Sequence, residues 1–579
     1  MSADRRTWLT ASLAALAGAG AATWAHRPQP PRERRVPELP VLRRAGRPLN
    51  VLLVVSDQER FDLPQGLPLP GHERLRGSGT SFTNWHVNTT PCSPSRSNLY
   101  FGQHTRHTRM IVNLGVYPEP EIPPAMPSLG HYFRANGYVT AYKGKWHLSP
   151  IAGRHELTYG RYPNSRDALE PFGFADFNID GDPHGSTWTG YKFDAQIAAD
   201  AAHWLHTRGR QGGKPWLLAV NFVNPHDVMY VATSAAQIES RRHRDYLAPL
   251  AGPPVDSLYQ TAWDFPLPAN RVDDLARKPW AQRHYRAFCD EAFGRLAGDD
   301  ATWQAYQNYY FNCIRDVDRH LVTVLDALEA SGQASSTVVV YTSDHGEMAG
   351  AHGLRQKGPF MYQENTRVPF IVWHPDVQGN RQTPALGSAV DLIPTLLELA
   401  GFDASATARA YPQLAGVSVA AAVGRPLART ARDTRGILFA YNTTHYIDAS
   451  FVMRLLDHDV VADRHMPARA LLAGMRPLPD LGQPTLFRGI HTGRHKFARY
   501  FKPSGHHVPK DWDTLTRHNT CELYDLQSDP LEMQNLAHAP EWSRGLVQEL
   551  NARLNELVGL EIGDDLGDEL PGPWFLKRL

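Results

Sequence analysis

Cysteine is scarce in this chain, which has only four in 579 residues: Cys92, Cys289, Cys313 and Cys521. The four are widely spaced and form no Cys-x-x-Cys pair. The sequence therefore indicates neither a zinc site nor a dense disulfide framework. A single disulfide between Cys289 and Cys313 remains open if the chain is exported from the cytoplasm.

The chain also lacks an excess of charge of either sign. Lys plus Arg number 60 against 59 for Asp plus Glu, which gives a net charge of +1. No basic run with interleaved aromatic residues is present, so no nucleic acid is expected as a partner. Internal repeats are absent as well. A chain of 579 residues is longer than one hydrophobic core usually supports, and this favours a large domain with a smaller one.

One uncharged stretch lies at the N-terminus. Arg5 and Arg6 precede a run rich in Ala, Leu and Gly that reaches Ala25, and this pattern resembles a bacterial twin-arginine export signal. We therefore expect residues 1–25 to be a signal peptide and residues 26–48 a linker, with a periplasmic or secreted mature protein. An uncleaved run of this length would instead anchor the chain in a membrane, and a buried N-terminal helix is a further alternative.

Three short runs, residues 51–55, 216–220 and 338–341, are continuously apolar and typical of buried strands. Polar residues follow each run, and helical patterns such as residues 314–328 lie between them. This alternation predicts an α/β fold with a mostly parallel sheet sandwiched by helices. Ligands bind such sheets beyond the carboxyl ends of the strands.

Two regions depart from this alternation. Residues 229–303 carry no strand signal and are rich in proline, arginine and aromatics, which predicts an insertion that is either a lid near the site or a solvated surface excursion. Beyond residue 424, strand-like runs at 436–441 and 497–501 precede an amphipathic pattern at 541–560. They predict a smaller subdomain with an antiparallel sheet and a helix.

Residues 92–96 read Cys-Ser-Pro-Ser-Arg. This order resembles the activation signature of type I sulfatases, which have the alkaline-phosphatase-like fold and in which a formylglycine-generating enzyme oxidises the cysteine. The resemblance implies that Cys92 becomes an aldehyde whose hydrate attacks sulfur with one oxygen and expels sulfate with the other. Phe101-Gly102 stands where the family usually has Thr-Gly or Ser-Gly. The alternative is a buried cysteine at the start of a helix capped by one of the two serines.

Asp57-Gln58 follows the first predicted strand, and Asp344-His345 follows a later one. The resemblance assigns these four side chains, together with the modified Cys92, as ligands of one divalent cation. The combination of Asp-Gln with Asp-His is similar to the branch of choline sulfatases and phosphonate monoester hydrolases. Calcium is the expected ion, with manganese or magnesium as alternatives. Manganese is an alternative because an imidazole nitrogen suits it better than calcium, which favours oxygen ligands. Taken singly, either aspartate is also typical of a helix cap.

Further polar residues match family motifs. Lys145 and His147 belong to a Gly-Lys-Trp-His stretch that looks like the second sulfatase signature, and in an extended segment they face the same side. The resemblance implies that Lys145 and Arg96 hold the formylglycine hydroxyl and that His147 takes the proton that lets sulfate leave. His226 and Lys357 match a histidine and a lysine that face the departing ester oxygen. Taken alone, each is typical of a solvated surface.

Together these features predict an arylsulfatase-like hydrolase that acts on a small-molecule or carbohydrate sulfate ester. Its catalytic domain is expected at residues 49–424 and its C-terminal subdomain at residues 425–579. One alternative keeps the fold but changes the substrate to a phosphodiester or phosphonate monoester, since tetrahedral anions share a geometry. Another is a catalytically inactive periplasmic protein that binds sulfated glycans. The sequence does not identify the alcohol released.

Overall fold

The computed structural model of the protein describes residues 34–114, 120–151, 168–179, 181–241, 248–443, 480, 482–506 and 508–570. The predicted signal peptide and the first part of the predicted linker lie outside these residues. Within the described part of the chain, no helix is both long enough and apolar enough to cross a membrane.

A seven-stranded sheet lies at the centre of the larger part of the molecule. Its strands, in chain order, are β1 (Asn50–Asp57), β2 (Thr80–His86), β3 (Val139–Gly144), β4 (Trp216–Pro225), β5 (Thr337–Ser343), β6 (Phe370–Trp373) and β7 (Arg381–Ser388). Their order across the sheet is β3-β4-β1-β5-β6-β2-β7. The central strand β1 is parallel to both its neighbours, whereas β6 is antiparallel to the strands on either side. The prediction of a mostly parallel sheet is confirmed.

The three predicted strands became β1, β4 and β5, and their composition explains why. In β1 every residue after Asn50 is buried, because a central parallel strand is covered on both faces. A continuously apolar run therefore fits this position better than an alternating one. Polar residues collect where these strands end, and this places them together at one edge of the sheet.

Helices surround the sheet, and several of them pack directly against its strands. In chain order they are α1 (Pro70–Ser78), α2 (Cys92–Phe101), α3 (Thr105–Thr108), α4 (Leu129–Ala135), α5 (Thr189–His206), α6 (Ala235–Ser240), α7 (Trp280–Phe293), α8 (Asp300–Ala330), α9 (Gln363–Thr366), α10 (Leu392–Leu399), α11 (Ala404–Ala410), α12 (Ala421–Gly424) and α13 (Arg432–Arg435). The longest, α8, spans 31 residues and packs against α5 and β4. On its buried face Tyr310 donates a hydrogen bond to the backbone carbonyl of Gln58 over 2.9 Å. This helix therefore fixes the chain just beyond β1.

Within the predicted insertion, the described residues of 229–303 form helices and 3₁₀ turns but no strand, as expected. The helix α7 lies between the loop that follows β5 and the C-terminal part, where Gln282 donates to Glu522 over 2.8 Å. Tyr285 and Phe293 of the same helix are buried. A solvated surface excursion is therefore wrong for α7, and a lid function stays a prediction.

The C-terminal part contains a second, antiparallel sheet. Its strands are β8 (Ile437–Tyr441), β9 (Leu486–His491), β10 (His495–Phe501) and β11 (Thr520–Asp525), with helices α14 (Trp512–His518) and α15 (Pro540–Glu561). The strands lie in the order β11-β10-β9-β8, and α15 packs its leucines over them. Asn88 bonds to this sheet through the carbonyl of Leu438 and the N–H of Ala440, at 2.8 and 2.9 Å. The predicted sheet and helix are confirmed, and the boundary at residue 424 stays a prediction.

All four cysteines are free thiols. Cys289 packs in an apolar cluster around α7, whereas Cys313 lies on α8 in a different cluster. The disulfide that the sequence left open is therefore not formed in this structure.

Candidate active site

The residues predicted to be functional converge at one edge of the sheet. Asp57 is the last residue of β1, Asp344 follows β5, and His226 follows β4. Cys92 is the first residue of α2. Because β1, β4 and β5 are parallel neighbours, their carboxyl ends meet at the same edge, which is where open α/β sheets bind ligands.

Cys92 is fully buried within this site. Its Sγ lies 3.2 Å from Nε2 of His345 and 3.8 Å from Oδ1 of Asp57. Burial and the Asp57 carboxylate act to raise the pKa of the thiol, but the positive charges of Lys145 and Lys357 help to outweigh them and lower it. Such electropositive surroundings distinguish reactive cysteines from inert ones in apolar cores.

The two serines of the Cys-Ser-Pro-Ser-Arg motif do not cap α2. The helix starts after Pro91 without a side-chain cap. The hydroxyl of Ser95 donates to the backbone carbonyl of Asp344, and Ser93 Oγ accepts the N–H of Leu114 at 3.1 Å. The alternative of a serine-capped helix is therefore wrong, and the serines instead join α2 to neighbouring loops.

Four side chains could hold a metal ion: Asp57, Cys92, Asp344 and His345. Each offers one ligand atom, these atoms all lie within 4.8 Å of one another, and all four residues are buried. Burial, reinforced by the neighbouring Asp57, raises the pKa of Asp344, so the two carboxylates repel each other without a cation between them. Carboxylate oxygens with one imidazole nitrogen are a donor set that fits a divalent cation.

Gln58, the fifth predicted ligand, lies beside this set with a left-handed backbone at φ 75°. Its backbone N–H donates to Oδ1 of Asp344 over 3.2 Å. Its side-chain oxygen accepts from Lys357, and its side-chain nitrogen donates to Glu347. The amide is thus fixed at the metal-ligand cluster with its oxygen turned to a lysine, and its role as a ligand stays a prediction.

Two predicted cations sit against the two carboxylates. Lys145 forms an ion pair with Asp57, and Arg96 lies 3.4 Å from Oδ2 of Asp344. The guanidinium of Arg96 also donates to the carbonyl of Trp146 at 2.9 Å and to Oδ1 of Asn221 at 2.7 Å. Arg96 therefore links α2 to the loop after β3 and places a positive charge beside the Asp344 carboxylate.

The two predicted catalytic histidines are both buried, at 4% exposure each. Burial, with Lys145 as the next cause for His147 and Lys357 for His226, lowers the pKa of both well below the usual range. Both are therefore neutral near pH 7. The Nδ1 of each is buried with no hydrogen-bond partner among the described residues. The backbone of His147 itself is left-handed, with φ 55°, rather than extended.

Lys357 reaches the site from the loop that follows β5. Its Nζ contacts the side-chain oxygen of Gln58 and lies 2.8 Å from the sulfur of Met229. Among the described residues, no carboxylate oxygen lies within 4 Å of this ammonium. Its charge is therefore available to an anion in the site.

Sequence analysis missed two carboxylates that hold the site together. Glu347 contacts Gln58 and accepts two backbone N–H groups of the loop that carries Lys357, at 2.9 and 2.6 Å. Its place three residues after Asp344 was a usable signal. Asp182 accepts the backbone N–H of His147 over 2.7 Å. It lies in a Gly-Asp-Pro-His-Gly turn that no spacing connects with the other motifs.

Comparison with known proteins agrees with this geometry. A family model described as sulfatase matches residues 49–402, more than half of the chain. The chain is 29% identical over 379 residues to the uncharacterized sulfatase YidJ of Escherichia coli strain K12, covering 61% of this chain and 68% of that protein. It is 27% identical over 380 residues to a choline-sulfatase of Rhizobium meliloti, covering 62% of this chain and 68% of that one.

A solved structure shares the fold. It is BT4656 in complex with its substrate D-glucosamine-2-N,6-O-disulfate, with a TM-score of 0.61, 18% identity, and coverage of 90% of this chain and 100% of that one. The alkaline-phosphatase-like architecture predicted from the sequence is thus confirmed. With the family match across the catalytic sheet, the chain belongs to the sulfatase family and is a sulfuric ester hydrolase.

Proposed function

We propose that the protein hydrolyses sulfate esters through a formylglycine that forms from Cys92. One observation carries the proposal: Asp57, Cys92, Asp344 and His345, distant in the sequence, bring their ligand atoms within 4.8 Å of one another in a buried site. This places the cysteine directly beside the metal donors. Lys145 and Lys357 supply positive charge to the same site, as an attack on an anion requires.

The proposed reaction has two steps that involve one carbon atom. One hydroxyl of the hydrated aldehyde gives up its proton and its oxygen bonds to sulfur. The bond from sulfur to the ester oxygen breaks, and the alcohol leaves with a proton from a donor in the site, which the proton of the attacking hydroxyl replaces. The second hydroxyl then loses its proton and becomes a carbonyl, while the bond from carbon to the sulfated oxygen breaks and sulfate leaves. Water then rehydrates the aldehyde. A serine would stop after the first step, because its sulfate ester has no second oxygen to expel it.

A divalent cation held by Asp57, Asp344 and His345 would act as a Lewis acid toward a sulfate oxygen. Gln58 completes the proposed ligand set, and calcium is the ion we propose on the two carboxylates. Lys145 neutralises Asp57 and Arg96 supports Asp344, so the pocket can still accept an anion.

Lys357 and His226 are the proposed groups at the departing ester oxygen. Lys145 and Arg96 each face a carboxylate, whereas Lys357 has no carboxylate partner among the described residues and can stabilise the charge that develops there. Burial is the main cause of the low pKa of His226, and the positive charge of Lys357 is the second. The two groups are therefore close enough to interact electrostatically. Lys357, as an ammonium, can donate the proton that the alcohol takes, whereas His226 is neutral and must first take up a proton to do so.

His147 is the proposed base for sulfate release. A neutral imidazole can accept a proton, and burial together with Lys145 keeps the pKa of His147 low. Its Nδ1 is buried without a partner among the described residues. The group is therefore in the correct form to take the proton from the second hydroxyl.

Turnover of a nitrophenyl sulfate and a nitrophenyl phosphodiester by the purified protein tests the proposal. We expect the sulfate to be hydrolysed with the higher kcat/KM. The reverse order would favour the phosphodiester or phosphonate alternative. The mass of the peptide that holds Cys92 separates the third candidate, since a free thiol and no turnover indicate a binding protein. Choline sulfate and a glucosamine sulfate, added to the same panel, report the alcohol.

We also propose that the chain is exported by the twin-arginine route to the periplasm or beyond. Arg5 and Arg6 before an uncharged run support this. This route carries folded proteins, so Cys92 must be oxidised in the cytoplasm by a formylglycine-generating enzyme. A precursor trapped inside the cell should already contain the aldehyde. An unmodified precursor beside a modified exported form would contradict that order.

A further inference from the structure

A short turn, residues 181–185, touches both proposed catalytic histidines. We propose that this turn is a positioning element for the sulfatase reaction, in which Asp182 fixes His147 and Gly185 fixes the space occupied by His226. The inference rests on the proposed function, because it assigns these histidines to the two steps of that reaction. Neither residue would contact the reacting atoms, so both are positioning residues.

The carboxylate of Asp182 binds the loop that carries His147 at two points. Oδ1 accepts the backbone N–H of Trp146 over 3.0 Å, and Oδ2 accepts the backbone N–H of His147 over 2.7 Å. Each of these N–H groups would otherwise be a donor in a largely buried place, which is unfavourable. One carboxylate therefore satisfies both consecutive amides.

This support matters because the backbone of His147 is strained. Its φ of 55° lies in the left-handed region, a backbone conformation that residues other than glycine rarely adopt. Such conformations persist only where surrounding contacts hold them, and they concentrate at functional sites. The paired hydrogen bonds from Asp182 are contacts of that kind. Without them the loop is free to relax and to turn the imidazole away from Lys145.

The same turn also holds the plane of the His147 ring. The ring of His184 stacks on it with centroids 5.1 Å apart and an angle of 21° between the planes. His184 is in turn held by the Asp182 backbone carbonyl, which lies 3.0 Å from its Nδ1. Backbone and ring of His147 are thus both fixed by residues of one turn.

Gly185 meets the second histidine. Its φ is +121°, and a Cβ at this position would lie 2.3 Å from Cε1 and 2.5 Å from Nδ1 of His226. The backbone therefore packs directly on the imidazole, and only glycine leaves that room. Any side chain here would displace His226 from its place near Lys357.

The turn therefore sets the separation of two groups that act at different steps. A looser His147 slows sulfate release and lets the sulfated enzyme accumulate. A displaced His226 slows departure of the alcohol, most strongly for alkyl sulfates, because their leaving groups need a proton more than nitrophenol does. These two signatures differ from the uniform loss that a merely destabilised fold would give.

Asp182→Asn is the first test, with Asp176→Asn as the matched control. Asp176 is nearby and accepts from the indole of Trp204 at 2.9 Å, but among the described residues it has no bond to the His147 loop. We expect Asp182→Asn to lower kcat on nitrophenyl sulfate about 100-fold, as expected for a misplaced catalytic group. A burst of nitrophenol and a protein heavier by one SO₃ group should accompany it. Amide exchange in the peptide with Trp146 and His147 should become faster.

The role of Asp182 is overturned by a kcat equal to that of Asp176→Asn. It is also overturned by a lower kcat that comes with neither a burst of nitrophenol nor faster amide exchange. A wild-type protein without sulfatase activity contradicts the proposed function instead, and the amide exchange then still reports whether Asp182 holds the loop. Gly185→Ala tests the second contact. We expect a larger loss on an alkyl sulfate than on nitrophenyl sulfate, and equal losses overturn the assignment of Gly185 to His226.

Discussion

The sulfur of Cys92 lies 3.2 Å from Nε2 of His345, although the two residues are 253 positions apart in the sequence. This polar contact distinguishes the surroundings of Cys92 from those of the other buried cysteines. Burial raises the pKa of the Cys289 thiol to about 12, because it lies among apolar neighbours. At Cys92 the nearby cations reverse the effect of burial. The site, rather than burial, therefore decides which cysteine can react.

The first prediction follows from this contrast. Cys92→Ala should reduce hydrolysis of nitrophenyl sulfate by about 10⁴-fold or more, since it removes the nucleophile that the reaction needs. Cys289→Ala is the matched control, because it removes a buried thiol outside the site, and its kcat should stay within about twofold of the wild type. Steady-state kinetics and urea unfolding measure both variants. Residual turnover in Cys92→Ala near the wild-type rate would exclude a covalent route through this residue.

The second prediction concerns the metal. Removing divalent ions with a chelator should lower the melting temperature, because Asp57 and Asp344 then face each other without a cation. A ligand at 100 times its Kd stabilises a protein by about 2.7 kcal/mol, and for a chain of 579 residues this corresponds to a shift of about 2 °C. Scanning fluorimetry with added calcium, manganese or magnesium then ranks the ions.

Asp344→Asn provides the control for that measurement. It should show a smaller response to the chelator than the wild type, whereas Asp62→Asn should respond normally. Asp62 is 61% exposed and pairs with Arg367 rather than with the ligand cluster. An unchanged melting temperature in the wild type on chelation would argue against a metal at this site.

The third prediction tests Lys357. Lys357→Ala should lower kcat/KM by about 10²–10³-fold, the usual effect of removing one group that stabilises transition-state charge. The loss should be greater for an alkyl sulfate than for nitrophenyl sulfate, since the better leaving group needs less help. Lys192→Ala is the control and should have little effect, because Lys192 lies on α5 with its ammonium over the ring of Trp188. An equal loss on both substrates would place Lys357 at the sulfate group instead of the ester oxygen.

Much of the site could be predicted from the sequence, for a physical reason. Parallel strands buried on both faces appear as unbroken apolar runs, and the first polar residues after them must lie at the sheet edge. Asp57 and Asp344 were found in this way, and the motif at Cys92 linked them to a reaction. The C-terminal sheet was also predicted, because its strands and closing helix keep clear local patterns.

The rest depends on contacts that local patterns do not encode. The serines after Cys92 looked like helix caps, yet Ser95 bonds to the carbonyl of Asp344, 249 positions away. No local pattern marked the left-handed backbone of His147, whose N–H bonds to Asp182, 35 positions away. Such choices are settled by partners distant in the sequence, so a single sequence does not reveal them.

The fourth prediction concerns the join between the two parts of the molecule. Arg432 is fully buried and pairs with Asp391 ahead of α10 at 2.6 Å, and with Glu561 at the end of α15. Arg432→Ala should lower the free energy of unfolding by about 3–5 kcal/mol, because it removes the guanidinium that two buried carboxylates share. Arg494→Ala is the control, since its pair with Asp525 is exposed and contributes about 0–1 kcal/mol. Similar losses in both variants, measured by urea unfolding, would contradict the prediction.

The fifth prediction is a pH dependence that begins at His72. This fully buried residue lies between two carboxylates, with Nε2 at 2.9 Å from Glu59 and Nδ1 at 2.5 Å from Asp318. Burial acts to lower its pKa, but the two carboxylates outweigh burial and raise the pKa from 6.5 to about 9. The folded protein therefore keeps this proton at a pH where the unfolded chain has lost it.

The sign of the effect follows from that difference. The stabilisation is complete below pH 6.5 and is lost as pH rises toward 9, which amounts to about 3 kcal/mol at 1.36 kcal/mol per pKa unit. Urea unfolding at several pH values across this range should show the decline. His72→Gln should be less stable at pH 6 and should lack this component of the slope. Glu59 follows Gln58 directly and also accepts a hydrogen bond from Tyr341. An equal slope in both proteins would therefore mean that His72 is neutral and that hydrogen bonds alone hold this end of β1.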